Sequence, residues 1–326
     1  MTPAELAGRV LTLAPFAHVS ADDFRLLLHH LLEEEQLELT ETGGLIVGLA
    51  GERITGSWKF YATFKENEEY SVRCESHEIG TIVRPPAIGG KIAIGGRVWV
   101  VEEVDRKRHL VYCHMVRGRV PAYFGDVPGD IHTHILERMH RVLAENEDYS
   151  YLLPNARARL SQVRQEAREA GIDRLPLIPL GAPEEPAGEG ARREAGDNAQ
   201  MYALFPWLGS YAFLALERFI KIRIAPLLGL KGIDSTRPYI IQFTMSSTPE
   251  AFFRVLFDEA TKPIEPLSLV YLKEVPVFDK YDDILPAELV RKGFAEGVLD
   301  IDGMLARIEE WRELYGASPE AVNGSD

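Results

Sequence analysis

Cysteine is scarce in this chain of 326 residues, which contains only Cys74 and Cys113. Structural zinc sites use cysteines or histidines paired at short spacing, and small disulfide-rich domains use several cysteines. Both cysteines here stand alone in strand-like segments. The sequence therefore predicts neither a zinc site nor a disulfide framework, and it favours a reducing compartment, the cytoplasm.

The chain also lacks a long hydrophobic run. The longest apolar stretch, residues 201–216, is short and interrupted, and no charged start followed by an apolar core stands at the N-terminus. A bilayer-spanning helix needs about 20 apolar residues. We therefore expect a soluble, cytoplasmic protein without a membrane partner.

Motifs for ATP-driven or nucleophilic chemistry are missing as well. A phosphate-binding loop reads G-x-x-x-x-G-K-[ST], and the nearest segment, residues 89–92, lacks the hydroxyl that would bind magnesium. The acidic pair at residues 258–259 ends a helical pattern in which Ser247 and Glu250 form a capping-box signature. No nucleophile elbow occurs. We expect no catalytic residue, no metal and no cofactor in this chain.

Charge is unevenly distributed. The net charge of -14 disfavours a surface that coats itself with nucleic acid, because nonspecific affinity comes from Lys and Arg that neutralise phosphates. Residues 1–56 carry nine acidic and three basic residues. Residues 81–125, in contrast, have eight basic and three acidic residues, a local charge of +5. Any nucleic-acid binding must therefore be local.

Hydrophobic periodicity predicts an α+β fold. Residues 1–56 read as a partial winged helix: a helix at 2–13, a helix capped by Ser20, and a hairpin at 37–47. The winged helix lacks its usual first helix, so we expect a fragment or a split gene product. Six short segments then alternate as in a small β-barrel or curved sheet, and they cover residues 60–64, 70–74, 78–83, 91–94, 97–104 and 109–115.

The second half is predicted to be a helix-rich α+β region. Helices are expected at 131–146, 155–170, 211–224, 249–260, 286–294 and 301–314, with strands at 201–205 and 238–245. Residues 181–198, rich in Pro, Gly, Ala and Glu, are expected to be a disordered loop. The predicted domains are 1–56 and 57–326, the latter with a β-rich part at 57–125 and a mixed helical part at 126–326.

Aromatic and basic residues cluster at the predicted first strand. Cations and flat rings are what a sequence-tolerant single-strand channel requires. Strand alternation puts Trp58 and Phe60 on one side and Lys59 with Tyr61 on the other. The alternative is that these rings build the core of the strand. The candidate nucleic-acid-binding residues are Trp58, Lys59, Tyr61, Lys91, Arg106, Lys107 and Arg108.

Other polar clusters are weaker candidates. His132, His134, Glu137 and His140 resemble a ligand set, but residues two apart on a helix diverge by about 200°, so His132 and His134 cannot chelate one ion together. A glycosylase-like active site would need an acid or amide that activates water. The available residues are generic: Asp126, Asp130 and Gln242.

Several phrases together resemble a known family. They are GERITGSWKFYATFKENEEYSVRCESHEIGTI at residues 51–82, GDIH at 129–132, LFPWLG at 204–209, LPAEL at 285–289 and GVLD at 297–300. Their order and spacing are similar to the winged helix and C-terminal domain of large helicase-related (Lhr) proteins, which are superfamily 2 DEAD/DEAH helicases. The resemblance implies a region that, with two RecA-like domains, encloses the tracking strand of an ATP-dependent 3′ to 5′ helicase.

The resemblance gives the main expectation about function. It implies an accessory region that binds single-stranded or tailed DNA, or an RNA–DNA hybrid, and works with RecA-like motor domains in cis or in trans. ATP and magnesium would then be bound by the motor. Two alternatives remain: a freestanding DNA-binding or base-excision protein, and a protein-interaction platform in a repair or defence system.

Overall fold

The computed structural model describes residues 1–62, 69–75, 77–83, 88–105, 108–116, 129–181 and 199–316. The chain forms two compact units. The large unit comprises residues 1–46 and 130–326, and the small unit comprises residues 47–129. The secondary structure is mixed α and β, which confirms the predicted α+β class. The predicted domain limits at residues 56 and 57 stay a prediction.

The first helices begin where their capping residues predict. Helix α1 (Pro3–Val10) starts with a capping box between Thr2 and Glu5, and α2 (Ala21–Glu33) starts with one between Ser20 and Asp23. Strands β1 (Leu37–Leu39) and β2 (Leu45–Val47) then form a two-stranded sheet. Each capping box satisfies N–H groups that the first helical turn leaves unpaired. The predicted pair of helices followed by a hairpin is confirmed.

The small unit begins with two short helices rather than a strand. Helix α3 (Leu49–Thr55) is followed by α4 (Trp58–Tyr61). The prediction of a strand at residues 60–64 is therefore wrong at residues 60–62, while 63 and 64 lie outside the described residues. Ser57 explains the difference, because its hydroxyl accepts the N–H of Lys59 at 3.3 Å and caps a helical turn. Alternation over so few residues cannot reveal this cap.

The other five predicted strands form one curled sheet. They are β3 (Tyr70–Cys74), β4 (His77–Ile82), β5 (Lys91–Ile94), β6 (Arg97–Asp105) and β7 (Leu110–Val116). The sheet has the order β4-β3-β7-β6-β5 and is a half-barrel. Its pairings are antiparallel except β3 with β7, which is parallel. Alternate residues of the strands fill one core, in which Val72, Ile92 and Val111 are fully buried.

The remainder of the large unit alternates helices and strands. Its first half contains α5 (Thr133–Ala144), α6 (Pro154–Ala170), β8 (Leu177–Gly181), β9 (Gln200–Leu204), α7 (Ser210–Phe219) and α8 (Ala225–Leu228). Its second half contains β10 (Lys231–Thr236), β11 (Ile240–Met245), α9 (Pro249–Ala260), α10 (Ala287–Gly297) and α11 (Ile301–Gly316). A π-helical turn at Ile220–Ile224 joins α7 to α8. The strands pair antiparallel in the order β10-β11-β9-β8.

Helix α7 lies at the centre of the large unit. Nearly all of its residues are buried, and Phe213 and Phe219 are inaccessible to solvent. A helix whose residues are mostly apolar around its whole circumference must be covered on nearly every side. The cover comes from residues of β9, β11, α9 and α11, which belong to the same hydrophobic cluster. This cluster is the main core of the protein.

In the large unit, the predicted cap of α9 is wrong, and most of the predicted loop at 181–198 lies outside the described residues. The cap of α9 is Thr248, whose hydroxyl accepts the N–H of Ala251 at 3.3 Å, and not Ser247, whose buried hydroxyl has no partner. The predicted loop at 181–198 lies outside the described residues from 182 onwards, and Gly181 ends β8. No helix in the described ranges is long and apolar enough to cross a bilayer.

Candidate nucleic-acid interface

Helix α4 exposes two aromatic rings on one face. Trp58 is 68% exposed and Tyr61 is 72% exposed. Residues three apart on a helix are neighbours on its surface, with Cβ atoms about 5–6 Å apart. The predicted strand would have turned these two rings to opposite sides. The helix instead makes them adjacent, so they can stack on neighbouring bases.

The remaining residues of α4 support this face. Phe60 is half-buried, and its ring meets that of Tyr61 edge to face with centroids 5.1 Å apart. Lys59 is exposed and lies about 100° around the helix from Trp58. The turn therefore combines two open rings with one cation. These are the groups that a single strand needs for its bases and its phosphates.

Lys91 lies on the outer face of the curled sheet. It begins the edge strand β5 and is exposed, whereas the next residue, Ile92, is fully buried in the core. Successive side chains of a strand point to opposite faces. The Lys91 side chain thus points away from the core. Its backbone partner on β6 is Val100, in the middle of that strand.

The basic turn between β6 and β7 is described only in part. Arg108 is exposed, and its backbone N–H donates to Oδ1 of Asp105 at 3.0 Å. Arg106 and Lys107 lie outside the described residues. Asp105 lies five residue steps along β6 from Val100, the partner of Lys91, which corresponds to about 16 Å along the strand. Lys91 and Arg108 therefore do not form one phosphate site, although one extended ligand could contact both.

The described part of the basic region is electrically balanced. Of its eight basic residues, only Lys91, Arg97 and Arg108 are described, and all three acidic residues are described: Glu102, Glu103 and Asp105. His114 Nδ1 lies 2.8 Å from Oε1 of Glu102 on the outer face, so that carboxylate has a local partner. The excess of positive charge predicted for residues 81–125 therefore belongs to residues outside the description.

One cation on the outer face was missed by the sequence interpretation. Arg73 of β3 is aligned with Tyr112 of β7 and with Glu78 of β4, and its Nε is buried without a hydrogen-bond partner. Alternation over residues 70–74 already separated Ser71 and Arg73 from the core residues. The pairing of β3 with β7, which joins distant parts of the sequence, was needed to bring Arg73 beside an aromatic ring.

Three of the sequence segments that resemble the Lhr family lie close together in the large unit: residues 129–132, 204–209 and 297–300. Ile131 N donates to Oγ of Ser210 at 2.9 Å, and Gly209 N donates to Oγ1 of Thr133 at 3.0 Å. A Cβ atom on Gly209 would lie 2.5 Å from the backbone nitrogen of Thr133, so no larger residue fits there. A cavity of 210 Å³ beside this junction is also lined by Asp300. The phrases thus form a close contact between the start of α5 and the start of α7.

The acidic groups at this junction have structural partners. Asp130 accepts a hydrogen bond from Tyr211, which raises the pKa of that phenol. Asp300 Oδ1 accepts the backbone N–H of Gly303 at 2.8 Å. Of the residues considered for a glycosylase-like site, Gln242 lies within β11 and Asp126 is outside the described residues. The junction therefore gives no specific support to base excision.

The histidine-rich start of α5 is also structural. His132 is the N-cap, and its Nδ1 accepts the N–H of His134 at 3.2 Å. Glu137 pairs with Arg307 at 2.7 Å, while the ring of His140 stacks on Trp207 with centroids 4.7 Å apart. Trp207 is buried, as the sequence predicts. The rings of His132 and His134 nevertheless meet edge to face with centroids 4.6 Å apart, because His132 precedes the helix, so the predicted divergence of these two side chains is wrong. Glu137 and His140 have other neighbours, and the four side chains do not converge on one point.

Comparisons with protein-family models, with curated proteins and with solved structures found no match to this chain.

Proposed function

We propose that this chain binds single-stranded nucleic acid and serves as an accessory region of an ATP-dependent, Lhr-like DEAD/DEAH helicase. Its part would be to guide the tracking strand, while ATP and magnesium are bound by RecA-like domains in another segment or chain. The supporting observation is the paired exposure of Trp58 and Tyr61 on α4. Large rings are normally buried, so two adjacent open rings suit a ligand with flat apolar faces.

The energetics of stacking agree with such a role. Each base stacked on an aromatic ring contributes about 1–3 kcal/mol, and this holds for any base because every base has a π-face. Lys59, Lys91 and Arg108 would add contacts to phosphates, which fix the strand without reading its sequence. The ligand is therefore single-stranded or tailed DNA, or the free strand beside an RNA–DNA hybrid.

Fluorescence anisotropy with labelled oligonucleotides tests the binding. We expect the chain to prefer a single strand over a duplex and to bind more weakly as salt rises. Trp58→Ala combined with Tyr61→Ala should weaken single-strand binding by at least tenfold. Tyr151→Ala is the matched control, because Tyr151 is 77% exposed but lies in the large unit. Equal affinities of the double variant and the wild type would contradict the site.

The helicase part of the proposal has a separate test. If a neighbouring reading frame encodes two RecA-like domains, the two products should copurify when coexpressed. Addition of this chain should then increase strand separation by the motor. Copurification without any effect of the Trp58 and Tyr61 substitutions on unwinding would mean that α4 does not guide the strand.

A second candidate function, a protein-interaction platform, is favoured by one observation in the large unit. Residues 270–281 form no strand, and two of their apolar side chains are open to solvent: Leu272 is 90% exposed and Val277 is 75% exposed. The buried guanidinium of Arg218 donates two hydrogen bonds to the carboxylate of Glu274 in this segment, with N–O distances of 2.6 Å and 2.7 Å. A segment that presents several apolar side chains to solvent is typical of an interaction surface. Binding of a protein partner that salt does not weaken would favour this candidate.

A further inference from the structure

The two cysteines of the chain lie side by side in the curled sheet. Strands β3 and β7 pair in parallel, with Ser71 opposite Leu110, Val72 opposite Val111 and Arg73 opposite Tyr112. The next residues in this register are Cys74 and Cys113. Aligned residues on neighbouring strands point to the same face. Both thiols should therefore face the core that Val72 and Val111 share.

Contacts of the two side chains support this alignment independently. Sγ of Cys113 lies 3.4 Å from the carbonyl oxygen of Arg73, the residue directly before Cys74. Cys113 belongs to the buried cluster of the small unit, and Cys74 packs against the same cluster while partly accessible to solvent. Residues that are distant in sequence are thus neighbours in space. Their spacing in the sequence gave no sign of this.

Strand geometry brings the thiols within range of a bond. Neighbouring strands lie about 4.7–4.9 Å apart, and a disulfide requires Cα atoms about 4.4–6.8 Å apart. Cβ atoms of directly opposed residues in a sheet are typically about 4.5–5.5 Å apart, whereas a disulfide prefers about 3.5–4.5 Å. A small approach of β3 and β7 is therefore needed. Such a bond is strained and easily reduced, which is the behaviour of regulatory disulfides.

We propose that Cys74 and Cys113 form a reversible disulfide that fastens β3 to β7 when the protein meets a low-molecular-weight disulfide oxidant. With glutathione disulfide, the Cys74 thiolate attacks one sulfur and releases the first glutathione thiolate. Cys113 then loses its proton and attacks the Cys74 sulfur of the mixed disulfide, which releases the second. Two electrons pass from the cysteine pair to the oxidant, and the two thiol protons end on two glutathione molecules.

The order of the two steps follows from exposure. Cys74 is partly accessible, so a soluble oxidant can reach it first. Burial, with a smaller contribution from the nearby Cys74, raises the pKa of the Cys113 thiol to about 11. A buried thiol with this pKa is almost entirely protonated at neutral pH and reacts slowly with soluble reagents. Its nearness to Cys74 compensates, because the second step takes place within one molecule.

The proposed disulfide would link the two parts of the curled sheet. The pairing of β3 with β7 is the parallel one among the described strands of this sheet, and it joins the hairpin β3–β4 to the strands β5, β6 and β7. A covalent link here restricts the separation of these two parts. Arg73 lies next to the link on the outer face, so oxidation would also restrain this cation.

Intact-mass analysis of the full chain tests the proposal. The reduced protein is incubated with glutathione disulfide, and we expect a loss of about 2 Da for two hydrogens. Neither thiol should then react with maleimide in denaturant, and a digest should contain a Cys74–Cys113 cross-linked peptide. Dithiothreitol should reverse all three changes. Oxidised protein should also unfold at a higher temperature than reduced protein.

Single variants distinguish this chemistry from simple surface oxidation. Cys113→Ser should accumulate one glutathione on Cys74, because nothing resolves the mixed disulfide. Cys74→Ser should stay unmodified, because its remaining thiol is buried; this variant changes a partly exposed residue and is expected to fold. A stable glutathione adduct on the wild type, a disulfide-linked dimer, or no reaction at all would each overturn the proposal.

Discussion

The core of the large unit and helix α4 of the small unit use aromatic side chains in opposite ways. The large unit buries its rings around α7, where Phe213, Phe219 and Phe253 are almost inaccessible to solvent. The small unit buries Trp99, whose Nε1 donates to the carbonyl of Ile94 at 3.1 Å, but leaves Trp58 and Tyr61 open. Aromatic content alone therefore says nothing about function. The position of each ring on its element decides whether it stabilises the fold or is available to a ligand.

The units also treat cations differently. In the large unit, Arg218 is buried, binds both carboxylate oxygens of Glu274 and the carbonyl of Leu269, and lies over the ring of Phe294. In the small unit, Lys91 is exposed on the outer face of the sheet and Arg108 is exposed in the turn between β6 and β7. A cation that is already satisfied inside the protein contributes to the fold. An exposed cation remains accessible to solvent, which is what the proposed phosphate contacts of the small unit require.

The largest expected effect comes from the core of the large unit. Phe253→Ala should lower the free energy of unfolding by about 3–5 kcal/mol, because it leaves a cavity beside Trp311 and the stacked ring of Tyr315. Trp58→Ala should change it by about 0.5 kcal/mol or less, since that ring is exposed. Urea denaturation followed by circular dichroism measures both. Similar losses in the two variants would remove the contrast between a buried and an open ring.

A second effect of comparable size concerns the buried ion pair. Arg218→Ala leaves the Glu274 carboxylate without its partner and should lower the free energy of unfolding by about 3 kcal/mol. Arg25→Ala is the control, because the pair of Arg25 with Asp22 is largely exposed and contributes only about 0–1 kcal/mol. The measurement is again urea denaturation. Equal values for the two variants would mean that burial adds nothing to this pair.

Much of the fold could be predicted because local signals are strong. Ser20 marked the start of α2, the helical pattern of α6 was predicted to end at residue 170 and does end before Gly171, whose φ is +78°, and alternation located β3 to β7. These signals work because an N-cap, a left-handed glycine and period-two alternation each act within a few residues. Helix α4 was missed for the same reason. In a segment of four residues, one capping serine outweighs the apparent alternation.

The candidate site was harder to predict because it depends on contacts between distant residues. The sequence named Trp58 and Tyr61, but only the helix places them on one face. The alignment of Cys74 with Cys113 arises from the parallel pairing of β3 with β7, and parallel pairings leave no local turn signal. The close contact at Gly209 likewise joins segments 76 residues apart. Such long-range pairing is not encoded in any short window of sequence.

A smaller effect, on the salt dependence of binding, distinguishes the cations that would contact phosphates from the rings that would stack on bases. Lys91→Ala and Arg108→Ala should each reduce the slope of log affinity against log salt concentration by about 0.7 for a single strand. The Trp58 variant should weaken binding without changing that slope. Lys273→Ala is a control in the large unit, because Lys273 is exposed. A slope that is the same in the wild type and in both sheet variants would place the phosphates elsewhere.

The smallest expected effect is a pH dependence of folding stability that arises from His140 in the large unit. His140 stacks on Trp207, and its Nε2 donates to the carbonyl of Asp173 at 3.1 Å. Burial lowers the pKa of His140 below its usual 6.5, although the hydrogen bond with the Asp173 carbonyl opposes this shift, and the positive charge of Arg307 adds a smaller lowering influence. The unfolded chain therefore binds a proton at a higher pH than the folded chain does. The stability that the neutral ring contributes is fully present above about pH 6.5 and declines as the pH falls through that value.

Urea denaturation at about pH 7.5 and about pH 5.5 measures this dependence. The wild type should be less stable at the lower pH, and His140→Gln should lose part of the difference because glutamine does not titrate. His132→Gln is the control, since His132 caps the start of α5 and is exposed. The hydrogen bond from Arg218 lowers the pKa of Glu274 below 4.5. The stability that this carboxylate contributes is therefore lost only at a pH below about 5.5, so it does not account for a difference between the two conditions. If His140→Gln retained the whole difference, the imidazole on Trp207 would not be its source.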